Sequence, residues 1–252
     1  MSTDTNTVAE APWPEALLVL PRLRVQNANA ISSPMTWGFP AITAFIGFMQ
    51  ALERRLGANA GIRLLSVGVV CHHFDPQVTT DGYTRSFRLT RNPAGSNGNP
   101  AAIVEEGRVH LELTLVFNAE FSPQHRGDDT QRALAQQVAD VAAGMRLAGG
   151  SVLPQLAQAG TRSQRPSLIR KADDETEQAK AFRMLARRWL PGFALVSRDD
   201  LLQTRLAALQ QAEPGATALD AWLSLSRWTS RATPAESDGT DNTADSADWS
   251  TD

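Results

Sequence analysis

The residues best suited to making specific contacts lie between positions 22 and 37. This stretch carries two arginines, three amide side chains, two serines and a tryptophan: Arg22, Arg24, Gln26, Asn27, Asn29, Ser32, Ser33 and Trp37. Arginine offers a planar fork of N–H donors, and Asn and Gln offer both donors and acceptors. Such a set suits phosphates and the edges of bases. In the alternative interpretation, the Asn and Ser side chains cap their own backbone within a loop.

A second group of residues could support metal or acid–base chemistry. It comprises Cys71, His72, His73 and Asp75, and Cys, His and Asp are metal ligands while His is the usual general acid–base. Adjacent residues on a strand point to opposite faces, so we do not expect His72 and His73 to share one ion. No second Cys/His pair follows at zinc spacing, and no nucleotide-binding or nucleophile-elbow motif is present. The sequence therefore predicts no metal, no cofactor and no catalytic residues.

The composition describes a basic body with acidic ends. The 252 residues include 24 Lys and Arg against 27 Asp and Glu, for a net charge of −3. Three acids lie in residues 1–15 and six follow Arg231, so the part between carries 18 acids against 24 bases. A basic body is compatible with a polyanion ligand. Only two of the bases are lysine, and arginine is preferred for planar phosphate contact, although a GC-rich genome would give the same bias.

Apolar runs and the single cysteine bear on location. No apolar run approaches the length of a membrane span, and the N-terminus has neither the basic nor the apolar region of a signal peptide. Cys71 cannot form an internal disulfide, which fits a reducing compartment. The sequence therefore predicts a cytoplasmic protein with no membrane partner.

Apolar periodicity predicts an α+β fold. The expected elements are a strand at 17–20, an irregular stretch to about residue 40, a helix with a stripe of Ile42, Phe45, Ile46, Met49, Leu52 and Leu56, strands at 64–74 and 109–117, a helix at 129–147, and a short strand at 151–153. Between the middle strands lies a turn-rich insert around Asp81-Gly82, which carries Arg85, Arg88 and Arg91. Without the insert, the order is the β-α-β-β-α-β of a ferredoxin-like fold.

The rest of the chain divides by composition. Residues 1–13 are predicted to be a disordered leader, 14–155 the ferredoxin-like domain with its insert at about 75–107, 156–231 a mainly helical extension, and 232–252 an acidic disordered tail. The extension begins with a polar linker at 157–172, followed by a helix at 173–190 whose predicted buried side is Phe182, Leu185 and Trp189. Pro191-Gly192 ends that helix.

Four segments resemble one family. They are PRLRVQNANAISSPMTWGFPAITAFIGF, RNPAGSNGNPAAIVEEGRVHLEL, GMRLAGGSVLP and RRWLPGFALVSRDDLL, and together they are similar to the second subunit of type I-F (Yersinia-subtype) CRISPR surveillance complexes. The segments occur in the family's order. Family members continue with a structured C-terminal portion, for which residues 232–252 offer no counterpart, so we expect this chain to lack it.

The resemblance implies a non-catalytic RNA-binding structural subunit. Such a subunit has a fold of the RNA-recognition-motif kind with a β-hairpin thumb, and caps the 5′ handle of the CRISPR RNA together with the large subunit. The first backbone subunit then adjoins it, and the assembled complex finds target DNA. The expected RNA contacts are Arg22, Arg24, Gln26, Asn27, Asn29, Ser32, Ser33, Trp37, Arg85, Arg88, Arg91, Asn92, Arg108, Arg146, Gly149 and Gly150.

Two other functions remain open at this point. Some relatives in the same superfamily process CRISPR RNA, so one alternative is a metal-dependent or general acid–base endoribonuclease that acts through His72 or His73. The other is a scaffold for protein partners only. In that case residues 173–231, with Trp189, Trp222 and Trp228, would dock the large subunit.

Overall fold

The computed structural model of the chain describes residues 12–33, 36–91, 94–100, 103–153, 165–226, 230–234 and 247–251. In chain order the elements are β1 (Glu15–Asn29), β2 (Ile31–Ser33), β3 (Thr36–Trp37), α1 (Ile42–Leu56), β4 (Ile62–Pro76), β5 (Val78–Asp81), β6 (Thr84–Phe87), β7 (Leu89–Arg91), β8 (Ile103–Glu105), β9 (Arg108–Phe121), α2 (Asp128–Ala143), β10 (Arg146–Leu147), β11 (Gly150–Leu153), β12 (Ser167–Arg170), α3 (Glu175–Ala186), β13 (Phe193–Ala194), α4 (Asp199–Ala212), α5 (Ala218–Leu225), β14 (Ser230–Pro234) and β15 (Ala247–Thr251). None of the described helices is both long enough and apolar enough to span a membrane.

The largest sheet is built around β1 and β9. Its strands run in the order β10-β11-β1-β9-β4-β13, and β12 pairs with the first part of β1. Every ladder in this sheet is antiparallel. Helix α1 connects β1 and its hairpin to β4, and α2 connects β9 to β10. The architecture is therefore of the α+β class, as the sequence predicted.

Strand β1 is far longer than the sequence predicted. We expected a strand at 17–20 followed by an irregular stretch, yet β1 continues to Asn29. Its pairing with β9 shifts register between Leu20 and Leu23 and again between Val25 and Ala28, which marks two bulges. A bulge adds a residue without reversing the faces of the strand. The prediction of a long loop is therefore wrong, because the extra residues are absorbed within the strand.

One hydrophobic core lies between the sheet and helices α1 and α2. The buried helix residues are Phe45, Phe48, Met49 and Leu52 from α1, and Leu134, Ala135, Val138 and Ala142 from α2. They pack with the apolar residues of β1, β4 and β9 in one cluster. Ile42 and Ile46, which the sequence placed on the buried stripe, are 44% and 40% exposed. The buried face is instead centred on residues three, four and seven positions beyond Phe45.

The other face of the sheet is covered over part of its surface. Val19, Val70 and Val116, from β1, β4 and β9, pack with Trp189 in a short 3-10 helix after α3. Trp189 is 8% exposed, and its ring meets the edge of Phe182 at a centroid distance of 5.7 Å. The sequence offered Trp189 as a docking residue, but it is part of a buried cluster and cannot present a surface to a partner.

The predicted linker between the two halves of the chain contains a strand. β12 pairs with residues Ala16–Val19 of β1, and Lys171 at its end binds Glu15 at 2.7 Å. Residues 1–195 form one unit and residues 196–252 a second. Part of the linker, residues 154–164, lies outside the described residues, as do residues 1–11 of the predicted leader.

A tight hairpin follows α2, which ends four residues earlier than predicted because Gly144 follows its last residue, Ala143. Residues Arg146 and Leu147 form β10, and the turn to β11 uses Ala148 and Gly149, both with positive φ. Gly150 lies against the backbone of β1. A Cβ added there would lie 2.6 Å from the nitrogen of Ala28. The missing side chain of Gly150 therefore lets two strands approach, a different role from the RNA contact expected of it.

Replacing Gly150 by alanine is expected to lower the free energy of unfolding by about 1–3 kcal/mol, because the new methyl group overlaps backbone atoms that cannot rotate away. Urea denaturation followed by circular dichroism measures this. The matched control is Gly47→Ala in α1, where nothing lies within 4 Å of an added Cβ. That change is expected to raise stability by about 0.5–1 kcal/mol. Equal midpoints for the two variants would contradict the close approach.

The insert between β4 and β9 contains two ladders rather than the single hairpin that was predicted. β5 pairs with β6, and β7 pairs with β8. Gly82, with φ of 56°, and Tyr83 form the turn of the first hairpin. At its base, the ring of Phe87 meets Trp37 at a centroid distance of 5.1 Å. The insert is therefore seated on the β2–β3 hairpin that follows β1.

The second unit begins at residue 196 and includes the helices α4 and α5. Thr217 and Asp220 form a capping box at the start of α5, and Arg205 donates to Ser224 between the two helices at 2.9 Å. Both helices lie in the extension that the sequence predicted to be mainly helical. The structure pairs β14, which begins two residues before the predicted disordered tail, with β15, which lies within it. Residues 227–229, including Trp228, and residues 235–246 and 252 lie outside the described residues.

Candidate nucleic-acid interface

A row of polar side chains crosses the sheet at the C-terminal half of β1. Gln26 lies opposite Ser151 of β11, which lies opposite Arg146 of β10. Residues directly opposite each other in an antiparallel pair project to the same face, and all three are exposed. The structure thus brings Arg146 close to β1, as a shared site requires. Ser151 was missed in the sequence, although its alternation with buried Val152 is a signal for an outward-facing residue.

Arg22 binds the carboxylate of Glu112, and Arg24 lies opposite Glu112 in the neighbouring strand. Arg24 is the cross-strand partner of Glu112 in β9, and Arg22 donates from Nη1 to Glu112 Oε1 at 2.8 Å. The side chains of Arg22 and Glu112 are each 32% exposed. Ion pairs with substantial exposure contribute only about 0–1 kcal/mol. A phosphate group arriving at this face can therefore compete with Glu112 for the guanidinium.

The backbone at Arg22 is tied to the centre of the sheet. Arg22 has φ of 51°, and its N–H donates to Thr114 Oγ1 at 3.2 Å. The same hydroxyl lies 2.7 Å from His72 Nε2, and His72 Nδ1 lies 2.8 Å from the carbonyl oxygen of Pro191. Burial lowers the pKa of His72 below its usual value, so the ring is neutral at pH 7. The bulge is thereby linked to the segment that follows α3.

The second bulge, at Asn27, is held by its backbone. The N–H of Asn27 donates to His110 Nδ1 at 3.1 Å, and its carbonyl oxygen accepts from Arg108 Nη1 at 3.3 Å. Arg108 also binds the carboxylate of Glu106. These bonds leave the Asn27 side chain exposed beside Gln26. Arg108 thus shapes the strand and is already engaged with a carboxylate, which reduces its availability to an anion.

Three of the expected contact residues bond locally. The Asn29 amide accepts from the N–H of Ile31 and donates to its carbonyl oxygen, both at 3.0 Å. The hydroxyls of Ser32 and Ser33 lie 2.9 and 2.5 Å from Thr36 Oγ1. The backbone-capping interpretation, which the sequence left open, therefore describes Asn29 and also Ser32, whose hydroxyl donates to the Thr36 carbonyl oxygen at 3.2 Å, whereas Ser33 bonds to a side-chain hydroxyl.

The insert carries exposed residues at some distance along the chain from β1. Tyr83 at the tip of the first hairpin is fully exposed, at 109% of its reference area. Arg85 is exposed on β6, and Arg88 donates to Gln77 Oε1 at 3.2 Å. The backbone of Arg91 belongs to β7, and Asn92 lies outside the described residues. Sequence reasoning missed Tyr83, although an aromatic residue directly after Asp81-Gly82 signals a ring at a hairpin tip.

The two adjacent histidines differ from the sequence expectation. A register shift between Cys71 and His73 places His73 opposite Glu112, while His72 bonds to Thr114 on the same face of β9. The premise that these histidines point to opposite faces is therefore wrong, because a bulge intervenes. Within the part of the chain that the structure describes, no group of three or more His, Cys, Asp or Glu side chains is arranged to hold a metal ion.

The protein is of the α+β class, with helices packed on one face of an antiparallel sheet. The other face carries exposed arginine and amide side chains that a ligand can reach. Sequence comparison then shows that the chain belongs to the CRISPR-associated Csy2 family, whose model, described as CRISPR-associated protein (Cas_Csy2), matches residues 18–252. The four segments predicted this family. The match continues through 232–252, where the sequence analysis found no family counterpart.

One curated relative gives the extent of the similarity. The CRISPR-associated protein Csy2 of Pseudomonas aeruginosa (strain UCBPP-PA14) is 49% identical over 216 residues. The alignment covers 85% of this chain and 65% of that relative. The chain thus spans a little under two thirds of the length of the curated relative it matches.

Proposed function

We propose that this chain is a non-catalytic RNA-binding subunit of a type I-F CRISPR surveillance complex, in which it holds the 5′ handle of the CRISPR RNA with the large subunit. Family membership supports a subunit of such a complex. The observation that carries the RNA-binding role is the set of Arg22, Arg24, Gln26 and Arg146 on one sheet face, of which Arg22 is half-buried and the other three are exposed. Arginines interleaved with amides suit phosphates and base edges together.

The proposal includes a sheet of the ferredoxin-like, RNA-recognition-motif type. In support, β1, α1, β4, β9, α2 and β11 follow in the order β-α-β-β-α-β, interrupted only by short elements. Proteins of this type bind single-stranded RNA on the sheet face. Here Trp189 covers the part of that face near Val19 and Val70. On the sheet itself, RNA contact is therefore confined to the C-terminal half of β1 and the strands beside it.

The side chains divide between phosphates and bases. Arg22, Arg24 and Arg146 carry the charge and take phosphate oxygens, whereas Gln26 and Asn27 present amides to the edges of unstacked bases. Asn29, Ser32 and Ser33 maintain the shape of the β2–β3 hairpin through their local bonds. Gly149, at the adjacent turn, permits close passage of an RNA backbone because it has no side chain.

Catalysis has no support in the arrangement around His72. Both ring nitrogens already bond within the protein, to Pro191 and to Thr114. A general acid or base must reach the proton that it transfers, and this ring cannot do so without losing one of these bonds. We therefore expect no cleavage of precursor CRISPR RNA by the chain, with or without divalent metal, in a gel assay of labelled RNA.

The proposed function is tested by co-purification. The chain is expressed with its neighbouring large subunit and a guide RNA that carries either the native 5′ handle or a handle of the same length and composition in scrambled order. We expect a stable three-part complex with the native handle only, because amide side chains read base edges. A protein pair that forms equally with either RNA, or with none, would instead identify the chain as a scaffold for protein partners.

The insert is expected to contact the guide where the first backbone subunit begins. Replacing Tyr83, Arg85 and Arg88 with alanine should weaken assembly of backbone subunits on the guide by roughly tenfold or more, since a stacked base contributes about 1–3 kcal/mol. The slope of log affinity against log salt should fall by about 0.7 for each arginine that meets a phosphate. Gel-shift titration with purified backbone subunit at several salt concentrations measures both.

Two substitutions of Tyr83 separate the contribution of its aromatic ring from that of the neighbouring arginines. Tyr83→Phe keeps the ring and should assemble like the parent, whereas Tyr83→Ala should not. Because Tyr83 is fully exposed, neither change should alter the thermal midpoint. Assembly of the triple variant at the parent affinity would remove the insert from RNA contact.

A further inference from the structure

A buried hydroxyl, that of Thr114, accepts a hydrogen bond from the backbone of Arg22 in the candidate interface. Thr114 is 0% exposed. Among the residues that the structure describes, it is the one polar residue that is classed as buried. It lies on β9 between two groups: the backbone N–H of Arg22 on β1 and the ring of His72 on β4. A buried hydroxyl with two partners on neighbouring strands fixes both of them.

The proton positions in this chain of hydrogen bonds follow from the Pro191 carbonyl. A carbonyl oxygen only accepts, so His72 Nδ1 carries the proton and donates to it. In the neutral ring, Nε2 is then an acceptor, and the Thr114 hydroxyl donates to it. The hydroxyl oxygen remains to accept from the N–H of Arg22. The donor and the acceptor of each of these three hydrogen bonds are therefore fixed.

The bulge at Arg22 needs such a partner. A residue with a Cβ is unfavourable in the left-handed region, and Arg22 has φ of 51°. Arg22 falls in the register shift between Leu20 and Leu23, and its N–H donates to the side chain of Thr114. In the same bulge, the side chain of Arg22 reaches Glu112 on the exposed face. The backbone bond and the direction of the guanidinium are therefore parts of one local conformation.

We propose that Thr114 and His72 are positioning residues for Arg22: the His72 ring orients the Thr114 hydroxyl, which holds the left-handed bulge and so directs the Arg22 guanidinium to the exposed face. This inference rests on the proposed RNA-binding function of that face. Neither residue contacts RNA. The Pro191 carbonyl oxygen accepts from the other ring nitrogen of His72, so the segment after α3 supports the same bulge.

Two substitutions at each position distinguish the hydrogen bonds. Thr114→Val removes the hydroxyl at nearly constant volume, and Thr114→Ser retains it. His72→Gln can place an acceptor near the position of Nε2, next to Thr114, while His72→Asn can place a donor near the position of Nδ1, next to Pro191. The proposal requires the Thr114 contact, so His72→Gln should behave like the parent and His72→Asn like Thr114→Val.

The first measurement is the affinity of the full chain for a fluorescein-labelled RNA carrying the 5′ handle, by fluorescence anisotropy. Thr114→Val and His72→Asn should each weaken binding at least fivefold, with Thr114→Ser and His72→Gln within twofold of the parent. In an Arg22→Ala background, Thr114→Val should have no further effect, because its action passes through Arg22. A general loss of stability would weaken binding in both backgrounds.

The second measurement is amide hydrogen exchange at Arg22 by NMR, which needs no RNA. Exchange should accelerate in Thr114→Val and His72→Asn and stay slow in the two conservative variants. Unchanged exchange in His72→Asn would overturn the proposal even if Thr114→Val did not fold. If Arg22→Ala binds RNA like the parent, the proposed function fails at Arg22. If Arg22→Ala weakens binding but Thr114→Val and His72→Asn do not, the positioning role fails alone.

Discussion

Replacing Arg22 and Arg24 together with alanine is expected to weaken binding of handle RNA by roughly 10²-fold or more. Hydrogen bonds to charged groups contribute about 1.5–3 kcal/mol each. Arg22 binds Glu112 and Arg24 lies opposite Glu112 on the neighbouring strand, so both arginines belong to the same part of the sheet face. The slope of log affinity against log salt should fall by about 1.4, which corresponds to two phosphate contacts on a single strand. Anisotropy titrations between low and moderate salt measure the affinity and the slope together.

Two comparisons make this result specific. Arg132→Ala removes an arginine from α2, on the opposite side of the sheet, where it pairs with Asp129 and is 74% exposed. It lowers the net charge by as much as either single alanine substitution at Arg22 or Arg24, and it should leave RNA affinity almost unchanged. Lysine at positions 22 and 24 keeps the charge but loses the planar fork, so intermediate affinity is expected. If the Arg132 variant loses as much affinity as an alanine at Arg22 or Arg24, the binding depends on overall charge and not on this face.

Replacing Trp189 with alanine is expected to lower the free energy of unfolding by about 3–5 kcal/mol. The indole fills the space over Val19, Val70 and Val116, and it is 8% exposed. Removing so large a side chain forfeits its burial and leaves a cavity. Urea denaturation followed by circular dichroism measures the loss without depending on tryptophan fluorescence.

Trp222 provides the matched control for this change. It lies in α5 and is 59% exposed, so its replacement with alanine should shift stability by no more than about 0.5 kcal/mol. The two tryptophans were given the same docking role from the sequence, and the structure separates them by burial. Equal losses of stability for the two variants would show that the cluster on this face of the sheet contributes little.

The error at β1 shows what the sequence could have revealed. The residues of β1 that pack in the main core include Leu18, Leu20, Leu23, Val25 and Ala28, with spacings of two, three, two and three. A strict period of two breaks at each bulge, so the pattern was taken for a short strand followed by a loop. Spacings that alternate between two and three are themselves a signature of bulges, because each adds one residue without exchanging the faces.

The candidate site was predictable only in part. Arg22, Arg24 and Gln26 were named from residue type alone, and the structure places them on an exposed face. The contribution of Arg146 depends on the pairing of β10 with β11 and of β11 with β1, which no local pattern reveals. Thr114 carried no signal at all, since one hydroxyl within the apolar strand 109–117 is recognisable only when its partners on two other strands are known.

The seating of the insert has a consequence for distance. A Cβ at Gly107 would lie 2.7 Å from Ile31 and 3.1 Å from Phe87, so the base of the insert is tightly fitted. From Phe87 the strand rises at about 3.3 Å per residue, which puts Tyr83 about 13 Å beyond that fixed point. In the proposed function, the insert would fix a distance along the RNA. The length of one hairpin would set the offset between the handle and the first guide nucleotide, and two residues added to each strand would move that mark by about 7 Å.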